Sequence, residues 1–345
     1  MSIQIKQANP PVICYVADKT GGHLIPCITH AHHEQQACHA SAYLFHTDTT
    51  LEHKILAEHP EIQGYAPYSL DRIPYSQPWK LPWTGIKFVI YFFKSLWKLW
   101  WLEPKKIISF GGFASIPVCL ASKLLGIPIE LYELNVEPGR SIKFLSHFCN
   151  QVHICFQDTC AYFDTKKCIM TEYPLRFSQP DKNYDQRAIK KELGLDPDIF
   201  TITILGGSQG SESLNQGIIN VLQTIPEKQL TKLQILHQAG NTNLDLEALY
   251  SSLKINFMVV NFYSDIIKFY QAADLIICRA GAGTIFETLF FQKQCITIPL
   301  ETDSTSHQIQ NAQSMATYYP QYFTMLLQRQ GWEEKLRSHI LKNIS

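Results

Sequence analysis

The sequence predicts an α/β fold made of two Rossmann-like domains that face each other across a cleft. Strand and helix patterns alternate through both halves of the chain, which is typical of parallel sheets covered by helices. In each half, a buried strand leads into a glycine-rich turn. Residues 12–17 precede TGGH at 20–23, and residues 200–205 precede GGSQG at 206–210. Ligands of such sheets bind beyond the carboxyl ends of the strands, so we expect both turns to line the cleft.

Further apolar runs extend each predicted sheet. Strands are predicted at 107–110 and 127–132 in the first half, and at 233–237, 257–260, 275–278 and 296–300 in the second. Prolines and charges between residues 174 and 198 indicate a linker, with one short helix at 188–193. We therefore place one domain at residues 1–177 and the other at 178–345.

Composition excludes several classes of protein. A chain of 345 residues with 46% hydrophobic and 17% charged residues is long enough for two packed domains, and it is too apolar for disorder. Lys plus Arg equals Asp plus Glu at 30 each, which argues against bulk attraction to nucleic acid. Ten scattered cysteines without a CxxC pair, and an N-terminal apolar run too short for a signal peptide, indicate a reduced cytosolic protein.

The segment from Ile86 to Leu102 combines apolar, aromatic and basic residues. It is slightly shorter than the roughly 20 residues that span a bilayer. On a helix, one narrow stripe would contain Lys87, Tyr91, Lys94 and Lys98, while the remaining surface would be apolar. This pattern predicts an interfacial helix on an anionic membrane surface. The alternative is a helix mostly buried between a sheet and its neighbours.

The GGSQG turn has the context of a phosphate-binding site. It follows a predicted strand and opens a helix, so its backbone N–H groups, the Ser208 hydroxyl and the helix N-terminus could contact an anion. A tight strand-to-helix connection would have the same pattern, and the turn alone does not distinguish the two.

A second strand-turn-helix unit runs from residue 274 to residue 291. Its helix is predicted to start at Thr284, which places Glu287 in the first helical turn. A carboxylate there could accept hydrogen bonds from both ribose hydroxyls of a nucleotide. Thr284 and Glu287 also match a capping box, so both interpretations stay open. Beyond the next strand, polar side chains that could contact sugar hydroxyls follow at His307, Gln308 and Asn311.

Taken together, these motifs resemble the MurG family of bacterial UDP-N-acetylglucosamine:lipid I N-acetylglucosaminyltransferases. The resemblance rests on TGGH, GGFASIP at 111–117, ExNxxPG at 133–139, GGSQG, RAGAGT at 279–284 and HQxxNA at 307–312. It covers residues 12 to 316 with the six motifs in family order. It implies a GT-B fold, peptidoglycan synthesis at the cytoplasmic face of the inner membrane, and a UDP-GlcNAc donor held mainly by the C-terminal domain.

The resemblance also implies residue roles. On the donor, Ser208 and Arg176 would face the diphosphate, Tyr263 the uracil and Gln308 the GlcNAc. The nucleoside would be wrapped by Ala282, Gly283, Thr284, Ile285, Phe286 and Glu287, with Glu287 on the ribose. On the acceptor side, the resemblance places Thr20, Gly21, Gly22, His23 and Asn135.

The family reaction inverts C1 of GlcNAc as a muramyl hydroxyl of lipid I displaces UDP. His23 is the candidate general base, because imidazole can remove a proton near neutrality; alternatively, it only orders its loop. Because no Asp-x-Asp-type carboxylate pair stands at a strand end, we expect arginine and helix termini, not a metal, to neutralise UDP, and we expect no cofactor. A zinc site at His23, Cys27 and His30, which are followed by His32, His33 and His39, is disfavoured, because Pro26 is expected to interrupt their helix and no second ligand cluster is evident in the sequence.

Some positions depart from the family pattern. Residues 17–19 replace further glycines in the first turn, Leu134 replaces a polar residue, and Glu172-Tyr173 stands in place of Gly-Asn. Two other functions therefore stay open at this point. One is a different GT-B lipid glycosyltransferase, such as a diacylglycerol enzyme. The other is a non-catalytic nucleotide-sugar-binding protein at the membrane.

Overall fold

The computed structural model describes residues 10–18, 21–66, 78–207, 210–263, 265–302 and 307–344. The chain divides into two units, Met1–Pro174 and Leu175–Ser345. Each unit contains one sheet, and the strand pairs within each sheet are parallel. The predicted class of two parallel-sheet α/β domains is therefore confirmed.

The first unit contains a seven-stranded sheet in the order β3-β2-β1-β4-β5-β6-β7. Its strands are β1 (Val12–Val16), β2 (Ser41–Phe45), β3 (Gln63–Tyr65), β4 (Lys106–Ser109), β5 (Ile129–Glu133), β6 (Gln151–Ile154) and β7 (Cys168–Met170). Its α-helices are α1 (Gly21–Cys38), α2 (Thr50–Ala57), α3 (Leu81–Leu102), α4 (Ser115–Leu124) and α5 (Arg140–Leu145), with 3-10 turns at Pro78–Lys80 and Gln157–Tyr162. The strand order reverses beside β1, so the turns after β1 and β4 lie side by side.

The second unit contains a six-stranded sheet in the order β10-β9-β8-β11-β12-β13. Its strands are β8 (Phe200–Leu205), β9 (Leu233–Gln238), β10 (Asn256–Val260), β11 (Leu275–Cys278), β12 (Gln294–Thr297) and β13 (Phe323–Met325). Its helices are α6 (Gln186–Glu192), α7 (Glu212–Gln223), α8 (Glu227–Leu230), α9 (Leu246–Ser252), α10 (Ile267–Ala272), α11 (Ala282–Phe290), α12 (His307–Tyr318) and α13 (Trp332–Ile344), after a 3-10 turn at Gln179–Lys182. Here the order reverses between β8 and β11, which brings the GGSQG and RAGAGT turns together at one edge.

Apolar side chains from the strands form the core of each sheet. Every residue of β9 and β11 is buried, as are five of the six residues of β8. Strands covered by helices on both faces are buried along their length, and the polar residues among them, such as Gln234 and His237, are hydrogen-bonded. Because the strands themselves are buried, polar groups that contact a ligand must lie at the strand ends or in the turns that follow them.

Most of the predicted linker is packed structure. Helix α6 lies within residues 174–198, and its Gln186 amide donates to the carbonyls of Ala272 and Ala273 at 3.1 Å. The Lys190 ammonium is 4% exposed and donates to Asp274 at 2.6 Å and to the Ile199 carbonyl at 3.0 Å. The interpretation of this whole segment as a linker was therefore wrong, because buried polar contacts attach it to the second sheet.

Helix α3 buries a narrow seam and leaves an apolar face exposed. Tyr91, Ser95 and Leu99 are fully buried, and the Tyr91 hydroxyl donates to the His46 carbonyl at 2.9 Å. The predicted stripe is thus partly internal: Lys98 lies 5.0 Å from the ring centroid of Tyr43. Burial on all sides, the alternative interpretation, does not occur. No helix among the described residues is long and apolar enough to cross a bilayer.

Replacing Lys190 tests how far α6 stabilises the second unit. Lys190→Ala leaves the Asp274 carboxylate without its buried ammonium partner, which costs about 3 kcal/mol when one side of a buried ion pair is removed. We expect a clearly lower thermal midpoint for the second unit. Lys191→Ala, its exposed neighbour on the same helix, is the control and should unfold like the unchanged protein. Equal midpoints for both variants would contradict the assignment.

Candidate functional site

The turn after β8 requires glycine for steric reasons. Gly207 and Gly210 have φ angles of +86° and +75°. A Cβ on Gly210 would overlap the Ala239 carbonyl oxygen, because the turn passes directly over the end of β9. Ser208 and Gln209 lie outside the described residues, so the role of Ser208 stays a prediction. The conformation favours a turn whose backbone can approach a ligand closely.

Arg279 joins this turn to the one after β11. Its guanidinium donates to the Ser211 and Ser213 hydroxyls at 2.7 to 3.0 Å. It also donates to the Ile298 carbonyl at 2.9 Å and to the Gln328 side chain at 2.8 Å. Burial lowers the pKa of Arg279 to about 10. Arg279 belongs to the RAGAGT motif, in which no role was predicted for it; the available signal was a lone cation directly after the apolar strand LIIC.

Asn215, in the first turns of α7, anchors that helix to the end of β9. Its amide donates to the Ala239 carbonyl at 3.1 Å, and its oxygen contacts His237 Nε2 at 3.1 Å. The other ring nitrogen of His237 lies 2.8 Å from the Tyr250 hydroxyl. Burial lowers the pKa of His237 to about 3, so its ring is neutral at physiological pH. A neutral ring can accept from Tyr250 and donate to Asn215, which fixes the start of α7 behind the glycine turn.

Glu287 occupies the second turn of α11, not the first. The helix begins at Ala282 and its N-cap is Gly281, which makes no side-chain capping bond. This removes the capping-box interpretation. The Glu287 carboxylate is 7% exposed and accepts from Arg176 Nε at 2.9 Å and from the Tyr270 hydroxyl at 2.6 Å. A nearly buried carboxylate is therefore held from two sides beside the turn.

The structure brings Arg176 and Glu287 together, although the resemblance gave them different parts of a nucleotide. The Arg176 side chain is 37% exposed, and its guanidinium lies 5.4 Å from the Phe177 ring centroid. Tyr270, which sequence analysis missed, is buried with its ring stacked on Phe291 at 5.7 Å. No local sequence motif predicts the role of Tyr270, because it lies in α10 whereas Glu287 lies in α11.

The first turn of α11 presents backbone more than side chains. Ala282 and Ile285 are buried, so their side chains pack inward, while Gly283, Thr284 and Phe286 are partly exposed. Any contact from Ile285 to a ligand would have to use its backbone. The N-terminus of this helix adds partial positive charge at the same edge.

Two further predicted donor residues flank this region. The Tyr263 backbone N–H donates to the Gln238 side chain at 3.2 Å, and its ring stacks on Phe269 at 4.8 Å. The Gln308 side-chain oxygen accepts from the Leu300 backbone at 3.1 Å, beside the loop after β12. Both residues are thus oriented by neighbouring strand ends.

In the first unit, α1 opens at Gly21 and Gly22 and continues through Pro26. The expected interruption by Pro26 was wrong, because proline this close to the helix start removes only one internal hydrogen bond. His23 is the third residue of α1 and is partly exposed. His30, by contrast, lies 2.7 Å from the Tyr132 hydroxyl through Nε2. Thr20 lies outside the described residues.

The ExNxxPG and GGFASIP segments are fixed by buried carboxylates. Glu133 accepts from the Asn135 backbone and from the Gly139 backbone, both at 2.9 Å. Burial raises the pKa of Glu133. Asp18, one of the departures from the family pattern, accepts from the Phe113 backbone at 2.8 Å and so joins the turns after β1 and β4. This departure therefore has a structural function.

Comparison with known proteins assigns the chain to a family. The models described as the glycosyltransferase family 28 N-terminal and C-terminal domains match residues 20–154 and 201–345. A relative from Caldicellulosiruptor saccharolyticus is 29% identical over 339 residues, covering 96% of this chain and 89% of its own. Its name is UDP-N-acetylglucosamine--N-acetylmuramyl-(pentapeptide) pyrophosphoryl-undecaprenol N-acetylglucosamine transferase. The crystal structure of Acinetobacter baumannii MurG aligns with a TM-score of 0.75 at 25% identity, over 97% of this chain and 91% of that one.

The chain belongs to the MurG family of family 28 glycosyltransferases.

Membership confirms the predicted family, the GT-B fold class and an enzymatic, hexosyl-transferring function. A relative from Syntrophus aciditrophicus with the same transferase name is 34% identical over 213 residues, covering 61% of this chain and 56% of its own. These relatives do not favour the diacylglycerol enzyme or the non-catalytic binding protein. The assignment of individual site residues stays a prediction.

Arg279→Lys tests the junction between the two turns. A lysine ammonium cannot reproduce the planar fork that contacts two serines, a carbonyl and an amide, so acceptors are left unpaired. We expect a loss of about 2 kcal/mol in stability and faster hydrogen exchange at the amides of residues 210–213. Arg329→Lys, a change at an exposed arginine, is the control and should leave exchange unchanged. Unchanged exchange in Arg279→Lys would argue against the junction.

Proposed function

We propose that this protein transfers GlcNAc from UDP-GlcNAc to the muramyl hydroxyl of lipid I. The product is lipid II for peptidoglycan synthesis at the cytoplasmic face of the membrane. The observation that carries this proposal is the nearly buried Glu287 carboxylate, fixed by Tyr270 beside two glycine turns at the strand-order reversal. The printed name of the Caldicellulosiruptor saccharolyticus relative, which contains this donor sugar and acceptor, supports the substrate assignment.

The donor would bind to residues 178–345 through Glu287. Its carboxylate would accept hydrogen bonds from both ribose hydroxyls, while the backbone of residues 282–286 and Tyr263 would surround the nucleoside. Gln308 would contact the GlcNAc. The N-termini of α7 and α11 lie at the same edge of the sheet and would stabilise the diphosphate.

On donor binding, Arg176 would change its partner from the Glu287 carboxylate to the diphosphate. In the structure its guanidinium bonds to Glu287, but the Arg176 side chain is 37% exposed, and such solvent-screened pairs contribute only about 1 kcal/mol or less. The ribose hydroxyls would take the place of Arg176 on the carboxylate. Arg176 would then neutralise the diphosphate together with Ser208, as the resemblance implies.

The chemical step would use His23 as general base. The muramyl oxygen would form a bond to C1 of GlcNAc as the bond from C1 to the UDP oxygen breaks, with inversion. His23 would take the hydroxyl proton, and the electron pair of the broken bond would leave on UDP. The acceptor would be bound by residues 1–177, through Thr20, Gly21, Gly22 and Asn135 as the resemblance implies.

The assay uses labelled UDP-GlcNAc with lipid I and, separately, with diacylglycerol. Lipid II formation supports the proposal, product on diacylglycerol supports the other lipid enzyme, and donor binding without turnover supports the binding protein.

Glu287→Gln should raise KM for the donor about 10- to 100-fold, because hydrogen bonds to a charged group contribute ~1.5–3 kcal/mol. His23→Ala should lower kcat about 100-fold or more.

The control for these variants is Glu334→Gln, on the exposed part of α13. It should match the unchanged protein in KM and kcat. A His23→Ala enzyme with nearly full kcat would identify His23 as a loop-ordering residue. An unchanged donor KM in Glu287→Gln would contradict the proposed contact between Glu287 and the ribose. It would not affect the conclusion drawn from lipid II formation, which is measured separately.

The exposed face of α3 would bind the membrane that holds the acceptor. Trp83, Phe93, Trp97 and Trp100 are 58% to 64% exposed and recur at helical spacing. Aromatic side chains of this kind partition into the headgroup region, and nearby lysines are attracted to anionic lipid. This arrangement supports peripheral attachment through one helix face.

Trp97→Ser combined with Trp100→Ser tests this attachment. Removing two exposed indoles should weaken binding to vesicles containing phosphatidylglycerol at least 10-fold, because each contributes roughly 1–2 kcal/mol of apolar transfer. Co-sedimentation measures the effect. Phe262→Ser, which changes a 66% exposed aromatic residue of the second unit, is the control and should bind vesicles normally. Equal binding by all three proteins would rule out α3 as the attachment site.

A further inference from the structure

Two histidines and a glutamate of the first unit meet on its surface. His32 lies in the middle of α1, whereas His59 and Glu61 belong to the turn between α2 and β3. One nitrogen of each histidine and one carboxylate oxygen all lie within 4.8 Å of one another. His32 Nε2 is hydrogen-bonded to Glu61 Oε1, and His59 Nδ1 lies 3.4 Å from the same oxygen.

The backbone holds these side chains in place before any ligand binds. His32 is carried by an 18-residue helix. The turn is closed by hydrogen bonds from the His59 N–H to the Leu56 carbonyl and from the Ile62 N–H to the His59 carbonyl, each 3.0 Å. The ligand atoms therefore converge without rearrangement of the main chain.

An ordinary ion pair between histidine and glutamate would need only one imidazole. Here the rings of His32 and His59 lie 4.9 Å apart and approach the same carboxylate oxygen. A single divalent cation, bound by two neutral imidazoles and the carboxylate, satisfies all three groups at once.

The donor set indicates which cation fits. Imidazole nitrogen with carboxylate oxygen suits zinc and related transition metals, whereas magnesium and calcium prefer oxygen ligands alone. Ligand atoms at about 2.0–2.1 Å from a tetrahedral zinc ion lie roughly 3.3 Å apart, so small side-chain rotations would close the observed arrangement. The three side chains are 31% to 44% exposed, which leaves the ion accessible to a water molecule as a further ligand.

We propose that His32, His59 and Glu61 bind one zinc-class divalent transition-metal ion. The ion links the middle of α1 to the turn that follows α2. Because α1 begins at the TGGH turn, this link restrains the helix that carries His23. The site differs from the histidine and cysteine set considered from sequence spacing, because His59 and Glu61 are contributed by a separate segment.

Metal binding can be measured without reference to catalysis. Protein without a polyhistidine tag is treated with EDTA, dialysed, and titrated with zinc chloride by calorimetry. We expect one ion per chain and a thermal midpoint that rises with zinc but not with magnesium. Cobalt should give the intense visible absorption of a four- or five-coordinate ion.

Matched variants locate the site. His32→Ala and Glu61→Gln should each weaken zinc binding at least 10-fold and abolish the cobalt spectrum. His33→Ala changes the exposed adjacent histidine of the same helix and should bind zinc like the unchanged protein. Thermal midpoints in EDTA verify that each variant is folded. Absence of a one-to-one complex, or equal losses in His32→Ala and His33→Ala, would overturn the proposal.

Discussion

The guanidinium of Arg279 holds together the two turns on which the candidate donor site depends. Turns at the carboxyl ends of adjacent parallel strands are close but have no ladder hydrogen bonds to join them. A buried cation is stable there only if oxygen acceptors replace its lost hydration. Ser211 and Ser213 supply acceptors from the start of α7, while Ile298 and Gln328 supply them from the opposite side. Because the buried charge needs all of these acceptors, the positions of the two turns relative to each other are fixed.

Glu287 uses the same principle with opposite charge. A carboxylate that is 7% exposed needs hydrogen-bond partners in place of water, and Tyr270 and Arg176 provide them. Tyr270 and Arg176 differ in how exposed they are, and therefore in how easily a ligand could replace them. Tyr270 is buried and stacked on Phe291, so it keeps one oxygen fixed, whereas the partly exposed Arg176 can exchange with solvent or ligand. The carboxylate is thus oriented from behind and accessible from the side of Arg176.

Sequence patterns predicted the second sheet more accurately than the first. Strands β8 and β11 match their predicted bounds, because FTITIL and LIIC are rich in β-branched and apolar residues and each leads into a glycine-containing turn. Strands β2 and β6 were missed, since no glycine turn follows SAYLF or QVHI to mark the end of a strand. The start of α11 was placed two residues late because Ala282 and Gly283 resemble a turn. Contacts such as Tyr270 with Glu287, or His32 with Glu61, join distant segments and leave no spacing signal.

Helix α3 shows why composition alone could not decide between a buried and an interfacial helix. Its buried seam consists of Tyr91, Ser95 and Leu99, at successive i, i+4 positions, and needs little of the helix's apolar surface. Soluble monomers rarely leave a contiguous aromatic face in water without a binding function. Lys98 of the predicted stripe packs over Tyr43 and Tyr65 and also lies 5.0 Å from the ring centroid of the exposed Trp101. Beside this cation, Phe93, Trp97 and Trp100 are 60% to 64% exposed, and an aromatic face next to a lysine favours contact with a membrane interface as the reason for their position.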